Sequence, residues 1–437
     1  MSSAAAAIAD TLAMKRRPWT LVLLTTAYFF SYMDRQILAI LQELIRADLH
    51  LSDTQLGLLA GFAFAIFYAT LGLPVARIAD RGNRVNIIAI ALTVWSLMTA
   101  LCGLAQNFIQ LLLCRIGVGV GEAGSSPPSH SIIADLYPAE KRAGAMGIYS
   151  LGVVLGTAFG TMIGGGVAHL YGWRIAMLTV GLPGVLLAIL IKLVMVEPRR
   201  GLSDVQIVAE GEERGTMPSL GEGFRAMWAD RAARHLVMGV TVTSLIGYGH
   251  AAFGPSFLQR SLGLSMIQVA SIVAPVGAVM GTISAVGGGW LANKLAQRWG
   301  LHTQSWMVFG LKCIGLPLSF VFYASSDPWL AVPCYWLAVL LINSYLGPTF
   351  ALIQGRSPLR MRALWAAITL LVINLVGLGL GPTLIGAISD GLKPAFGEES
   401  LRYAMFTFSA ASPWAIWHYW RAGALMKREE QAAALAI

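Results

Sequence analysis

Four ionisable residues fall inside otherwise apolar runs of this chain, and their types and spacing define the chemistry open to it. Asp34 and Arg35 are neighbours in one run, and Arg115 and Glu122 stand in a later one. Asp34 comes about 15 residues after its run begins, roughly 22 Å along a helix. A charge at the centre of a membrane helix costs about 2.5 to 3.5 kcal/mol, so four unpaired charges would cost on the order of 10 kcal/mol. Two acids and two arginines can cancel. Asp34 and Arg35 point about 100° apart on a helix and do not face each other. Arg115 and Glu122 share a face but lie about 10.5 Å apart along the axis. Each is therefore expected to meet a partner on the other helix, Asp34 with Arg115 and Arg35 with Glu122, beside a water-filled cavity. A carboxylate whose arginine is competed away by an anion loses its counter-charge and takes up a proton. Asp34 is the expected primary proton carrier and Glu122 the second, with Arg35 and Arg115 as ion-pair partners and receivers of an anionic head group.

These residues must be held by membrane helices. The 437 residues are 56% hydrophobic and only 12% charged, far below the roughly 25% charge of a soluble globular chain. Apolar runs near 19–45, 54–77, 86–104, 108–133, 144–168, 173–195, 235–257, 266–292, 304–325, 330–353, 363–389 and 402–422 give twelve spans, which excludes a large soluble domain. Placing both termini on one side puts 22 of the Lys and Arg residues there and only 5 in the opposite loops. By the positive-inside rule that side is cytoplasmic. The net charge of +9 is thus a topology signal and not a nucleic-acid footprint.

The expected organisation is all-α: a cytoplasmic segment 1–18, a six-helix bundle 19–196, a cytoplasmic linker 197–234, a second six-helix bundle 235–422 and a cytoplasmic tail 423–437. The linker mixes Glu210, Glu212 and Glu213 with arginines. Its end is read either as a short amphipathic helix laying Phe224, Met227 and Trp228 on the membrane or as a solvated tether. The loop ARIADRGNR (76–84) and the stretch GWLANKLAQR (289–298) align at an offset of 213, Asp80-Arg81 against Asn293-Lys294, as a duplicated half would require. Pro127-Pro128 should break the fourth span, and the glycines of GVVLGTAFGTMIGGG (152–166) allow close helix contact. Cys102, Cys114, Cys313 and Cys334 read as small core residues, and His130 and His250 as packed ones. In the second half the acids all lie in loops or the tail. Lys312 is read as snorkelling toward the cytoplasm. Tyr335, Trp336, Tyr345, Trp365, Trp414, Trp417 and Tyr419 make that half aromatic, which beside a charged first half suits an amphiphile.

ARIADRGNR resembles the loop signature of the major facilitator superfamily, with Ala76 and Asn83 where glycines are usual, and RIGVGVGEAG (115–124) resembles its fourth-helix signature. MDRQILAIL (33–41), SIIADLYPAEKRAGAMGIY (131–149) and GWR (172–174) look like the Spinster family of lipid transporters. The resemblance implies two six-helix bundles and alternating access, with Asp80, Arg81 and Arg84 bracing a cytoplasmic gate.

No G-x-S-x-G elbow, H-E-x-x-H helix or P-loop is present, so neither an enzyme nor an ATP-driven pump is expected. The expectation is a proton-coupled secondary transporter for an amphiphilic lipid such as a lysophospholipid or sphingoid-like phosphate. A multidrug or organic-anion carrier of the same superfamily is the alternative. It would act as a monomer without a cofactor, in a plasma or bacterial inner membrane, with protons, cargo and bilayer as its only partners.

Overall fold

The apolar runs fold as helices whose ends are set by short polar sequences. The structure, a computed structural model, describes residues 3–203 and 219–435. The side chains of Leu73, Ala76, Asp80, Ala139, Glu140, Ala143, Leu359 and Ala363, and those before Ile8, also lie outside the description, as do the linker acids Glu210, Glu212 and Glu213. The helices are α1 (Ser3–Leu49), α2 (Asp53–Ala60), α3 (Phe62–Arg81), α4 (Arg84–Cys102), α5 (Phe108–Glu122), α6 (Ser126–Leu136) and α7 (Ala139–Val194). They continue as α8 (Leu220–Ala229), α9 (Arg231–Arg260), α10 (Met266–Gln268), α11 (Ala274–Trp299), α12 (His302–Ala324), α13 (Pro328–Ile342) and α14 (Leu346–Arg356). The last four are α15 (Arg362–Val372), α16 (Gly381–Phe396), α17 (Ser400–Ser409) and α18 (Ser412–Leu435). No strand occurs among the described residues.

Nine helical stretches among the described residues are long and apolar enough to cross a bilayer, two of them, Gly144–Val194 and Leu364–Leu435, being 51 and 72 residues long. Each of those two exceeds twice the roughly 20 residues one crossing needs. The run containing Asp34 is not among the nine, because Thr20, Thr25, Thr26, Ser31, Asp34 and Arg35 make it polar. Leu193, Val286 and Leu186 are 70% exposed or more, as lipid-facing side chains must be.

Capping motifs mark the starts. Ser52 accepts a bond from Gln55 N while the Gln55 side chain accepts from Ser52 N, a capping box that starts α2. Asn83 and Asn107 cap α4 and α5 in the same sense. The expected break at Pro127-Pro128 is found: α5 ends at Glu122, and the prolines enter α6 in its first turn, where a missing N–H costs nothing. In α7 the backbone turns at Gly172, whose φ of 84° suits a residue with no Cβ.

Two compact units emerge, Met1–Leu51 with Phe62–Glu212, and Ser52–Gly61 with Glu213–Ile437. Ser52–Gly61 groups with the second unit for reasons given below. In the first unit α1 and α7 pack through a row of glycines: a Cβ on Gly152 would sit 2.7 Å from Thr25 O, and one on Gly160 2.8 Å from Met33 Cα. Within the expected cytoplasmic segment 1–18 the chain is helical from Ser3, and Arg16 donates to Val194 O at 2.8 Å. In the expected tail 423–437, α18 continues to Leu435.

In the second unit Met227, Leu236, Trp365 and Tyr419 share a core. This corrects the reading of the linker helix: α8 forms, but Met227 is buried in the bundle while Phe224 and Trp228 stack outward on each other, centroids 5.6 Å apart. Cys313 is exposed and so is not a core residue; it faces an apolar groove. Helix geometry changes twice here, to π-helix over Val269–Val273 and Ile373–Leu380, and a 3-10 turn, Asn343–Tyr345, separates α13 from α14.

Candidate functional site: two buried ion pairs of the N-terminal unit

Asp34 and Arg35 sit on α1, Arg115 and Glu122 on α5, and the pairing that helix geometry implied is present. Arg115 Nη1 lies 3.4 Å from Asp34 Oδ2. Thr99 of α4 donates its hydroxyl to Asp34 Oδ1 at 2.5 Å. Glu122 Oε2 accepts from Arg35 Nη2 at 2.5 Å, Arg35 Nε at 2.9 Å and Ser31 Oγ at 3.0 Å. Glu122 Oε1 is buried and meets no protein donor among the described residues. One carboxylate oxygen thus holds three donors, and the other accepts none among the described residues.

The spaced glycines of α5 explain how the pairs come so close. A Cβ on Gly119 would sit 2.6 Å from Phe64 O, and one on Gly121 2.7 Å from Trp95 N. Without those Cβ atoms α3 and α4 settle directly on α5. Phe64 then lies between the two guanidinium groups, its ring centroid 4.8 Å from Arg35 Cζ and 5.6 Å from Arg115 Cζ. Tyr32 and Tyr68 add rings at 5.0 and 4.9 Å from Arg35 Cζ. Each desolvated cation–π contact adds about 2 kcal/mol toward the cost of holding a cation in a dry site.

Exposure separates the four residues. Asp34, Arg115 and Glu122 are 3% exposed or less, whereas the Arg35 side chain keeps 17%. The space next to Asp34, between Phe30, Trp95 and Ser96, is too small for a water, so the expected water-filled cavity does not open there. Arg35 is the most exposed member of the set.

Of the expected gate residues, the side chain of Asp80 lies outside the description and Arg81 is exposed. Arg84 is fully buried. It bonds to Asp135, to Ser131 Oγ at 2.7 Å, to Glu197 Oε1 at 2.6 Å and to Pro198 O at 2.8 Å. Gly201 N donates to Asp135 Oδ1 at 2.8 Å. These partners are all in the N-terminal unit, where Arg84 fastens the chain that leaves α7.

Sequence reasoning missed a second cluster, in the C-terminal unit. Arg260, ending α9, holds both oxygens of Asp53 at 2.7 and 2.9 Å, and Ser389 Oγ donates to Asp53 Oδ2 at 2.6 Å. Asp390 caps α2, accepting from Asp53 N at 3.0 Å and Thr54 N at 2.8 Å. A Cβ on Gly61 would meet Leu378 O at 2.7 Å. These contacts are why Ser52–Gly61 groups with this unit. The capping box was readable at Ser52, but nothing local to Asp53 or Arg260 marks them as partners.

Lys312 is also placed differently from the reading of its sequence. It is 6% exposed, inside the C-terminal unit, with Nζ 4.8 Å from the Tyr345 ring centroid. His250 is packed as expected, its Nε2 3.1 Å from Met405 O. An apolar groove of about 700 Å³ between α12 and α18, lined by Phe309, Leu316, Phe320 and Trp417 among others, holds no charged side chain. Among the described residues no three His, Cys, Asp or Glu side chains gather to hold a metal.

The family profile described as Major Facilitator Superfamily matches residues 24–390. The chain belongs to the major facilitator superfamily. An "MFS-type efflux pump" of Mycolicibacterium smegmatis is 33% identical over 420 residues, 95% of this facilitator and 94% of that protein. "Protein spinster" of Drosophila melanogaster is 26% identical over 406 residues, 86% of this chain and 63% of that one. A crystal structure of a bacterial homolog to the human lysosomal transporter Spinster, inward-facing and unoccupied, superposes with a TM-score of 0.84 at 31% identity, covering 94% of this chain and 98% of that one. The facilitator is therefore a Spinster-like, integral multi-pass membrane transporter and not an enzyme.

Proposed function

We propose that this facilitator is a secondary transporter that works by alternating access, coupled to protons, and carries an amphiphile with an anionic head such as a lysophospholipid or a sphingoid-like phosphate. The observation that carries the reading is Arg35: a partly exposed guanidinium bonded to Glu122 and framed by Tyr32, Phe64 and Tyr68. A cation set in aromatic walls suits a charged head on an apolar body. An anion that takes Arg35 from Glu122 leaves a buried carboxylate without its counter-charge, and a proton replaces it. Asp34 is the primary proton carrier in this reading, with Arg115 as the partner it must give up, and Glu122 is the second.

Counting Gly144–Val194 and Leu364–Leu435 as two passes each and adding α1 gives twelve passes with both termini cytoplasmic. Asp80, Arg81 and Arg84 serve the cytoplasmic gate, Arg84 by fixing the chain that leaves α7. The protein acts as a monomer with no cofactor.

The test is uptake of a single-chain lysophospholipid into proteoliposomes, with and without an imposed pH gradient, for wild type and Asp34→Asn. Gradient-driven flux that is lost in the variant is the expected result. Undiminished gradient-driven flux in Asp34→Asn would end the proton assignment. A second reading, export of drugs or small organic anions, draws on the 33%-identical relative named as an efflux pump. Transport of those compounds with no lysophospholipid flux would replace the lipid reading.

A further inference from the structure

The C-terminal unit contains a buried cation that the site above does not use. Lys312 comes about ten residues after α12 begins, roughly 15 Å along the helix, and is 6% exposed. Its ammonium faces the ring of Tyr345 at 4.8 Å. The Tyr345 hydroxyl is in turn 3.3 Å from Ser244 Oγ on α9, and Ser244 is 2% exposed.

Among the described residues no carboxylate pairs with Lys312. Acids of this unit engaged elsewhere include Asp53 with Arg260, Asp230 and Glu429 with Arg356, Glu430 with His302, Glu399 with Arg402, Asp390 with α2, and Glu222 and Asp327 as caps of α8 and α13. A cation this deep in a membrane protein without a counter-charge marks a functional position.

Two irregular backbone segments converge on the same residues. Tyr345 closes the 3-10 turn Asn343–Tyr345 that interrupts the helix between α13 and α14. Gly377 in the π-helical stretch Ile373–Leu380 lies against Ser244, so close that a Cβ on it would be 3.0 Å from Ser244 Cβ. Broken or widened helices at membrane depth are a recurrent way of building ligand sites.

The repeat offset gives an independent pointer. At 213 residues, the offset that relates Ala76 to Gly289, Lys312 falls opposite Thr99 and Gly247 opposite Asp34. In the N-terminal unit that position serves a complete acid–arginine pair, with Thr99 donating to Asp34. The C-terminal unit has a cation at the matching place and no acid.

We propose that Lys312, with the hydroxyls of Tyr345 and Ser244, forms an anion-accepting subsite in the C-terminal unit that takes one carboxylate or phosphate oxyanion. As the receiver of a cargo's charged group it rests on the anionic-cargo reading above. The same chemistry would also hold a free inorganic anion, and the experiment separates the two.

The test uses the full chain in nanodiscs, wild type, Lys312→Met, Lys312→Gln and Lys312→Arg, with Arg35→Gln as a control in the other unit. Binding is measured for an anionic lysophosphatidylglycerol, for an uncharged monoacylglycerol of the same chain length, and for inorganic phosphate by thermal stabilisation. Wild type is expected to favour the anionic lipid about tenfold, a preference conferred by one well-placed charge-assisted contact. Lys312→Met and Lys312→Gln should reduce that preference to about twofold or less, and Lys312→Arg should keep most of it. Stabilisation by phosphate that needs Lys312, with no lipid preference in wild type, keeps the subsite but assigns it a free anion and removes the anionic-cargo reading. An unchanged preference and unchanged phosphate response in both neutral Lys312 variants overturns the subsite. If Arg35→Gln alone abolishes the preference, the cargo reading stands without it. Chromatographic profiles confirm that each variant is folded, and the neutral substitutions are the mild ones because they remove a buried charge.

Discussion

Arg260 and Asp53, separated by 207 residues in sequence, meet through both Nη atoms of the guanidinium and both carboxylate oxygens at 2.7 and 2.9 Å, with side chains 6% and 4% exposed. Removing one partner of a buried, doubly bonded pair leaves the other charge uncompensated, at a cost of about 3–5 kcal/mol. Asp53→Ala and Arg260→Ala should each lower the melting temperature of the purified protein substantially. The double variant should be little worse than either single one, so the coupling energy should be about as large as one single-variant cost, about 3–5 kcal/mol. Simple additivity in that cycle would show that the pair contributes nothing specific.

Asp34 and Arg115 should tolerate exchange better than loss. Asp34→Arg or Arg115→Asp alone places like charges together beside Thr99 and should abolish gradient-driven uptake. The double exchange restores opposite charges and should recover part of the flux, because the 3.4 Å contact joins two helices whose glycine packing is unaltered. If the double exchange never exceeds the single variants in flux, while all three reach the membrane, the pairing has no part in transport.

Arg84→Ala removes the only guanidinium among the described partners of both Asp135 and Glu197. The loss should cost about 3–5 kcal/mol and free the chain that leaves α7. Arg84→Lys should rescue little, since one ammonium cannot span Asp135, Glu197 and Pro198 O as the planar fork does. Limited proteolysis after Pro198 is the readout. Equal protection in wild type and Arg84→Ala would contradict this role.

Asp48 supplies a pH-dependent test outside the membrane runs. The hydrogen bond from Arg174, then that from Trp173 Nε1 at 3.2 Å, holds its carboxyl below the ordinary aspartate range. A depressed folded-state value means the stabilisation is present above about pH 4 and disappears as pH falls through the folded value. The side chains are 43% and 40% exposed, so solvent screens the pair and the effect should stay below about 1 kcal/mol. Asp48→Asn should therefore melt slightly below wild type at neutral pH, with the gap closing near pH 3. A gap that widens on acidification would reverse the sign.

The pairing of Asp34, Arg35, Arg115 and Glu122 was legible in the sequence because four charges at depth had few possible partners and helix geometry removed the neighbouring choices. The break after Glu122 was legible because proline lacks an N–H. Asp53 and Arg260 were not, since each reads locally as an ordinary helix-end residue and only the tertiary packing of α2 on α16 brings them together. Lys312 was misread because the length of its stem permits snorkelling; the direction the stem takes is set by Tyr345, which no periodicity reveals. Met227 was misplaced for a related reason. An amphipathic pattern states that α8 has an apolar face but not whether protein or lipid will cover it.

The glycine row of α7 bears on the route open to any cargo with a hydrocarbon tail. At Gly152, Gly156 and Gly160 the backbone of α7 rests against the backbone of α1, leaving no side-chain gap for an acyl chain to part. That seam is shut to sideways passage from the bilayer, so a cargo with a hydrocarbon tail must slip in between other helices or thread from one end.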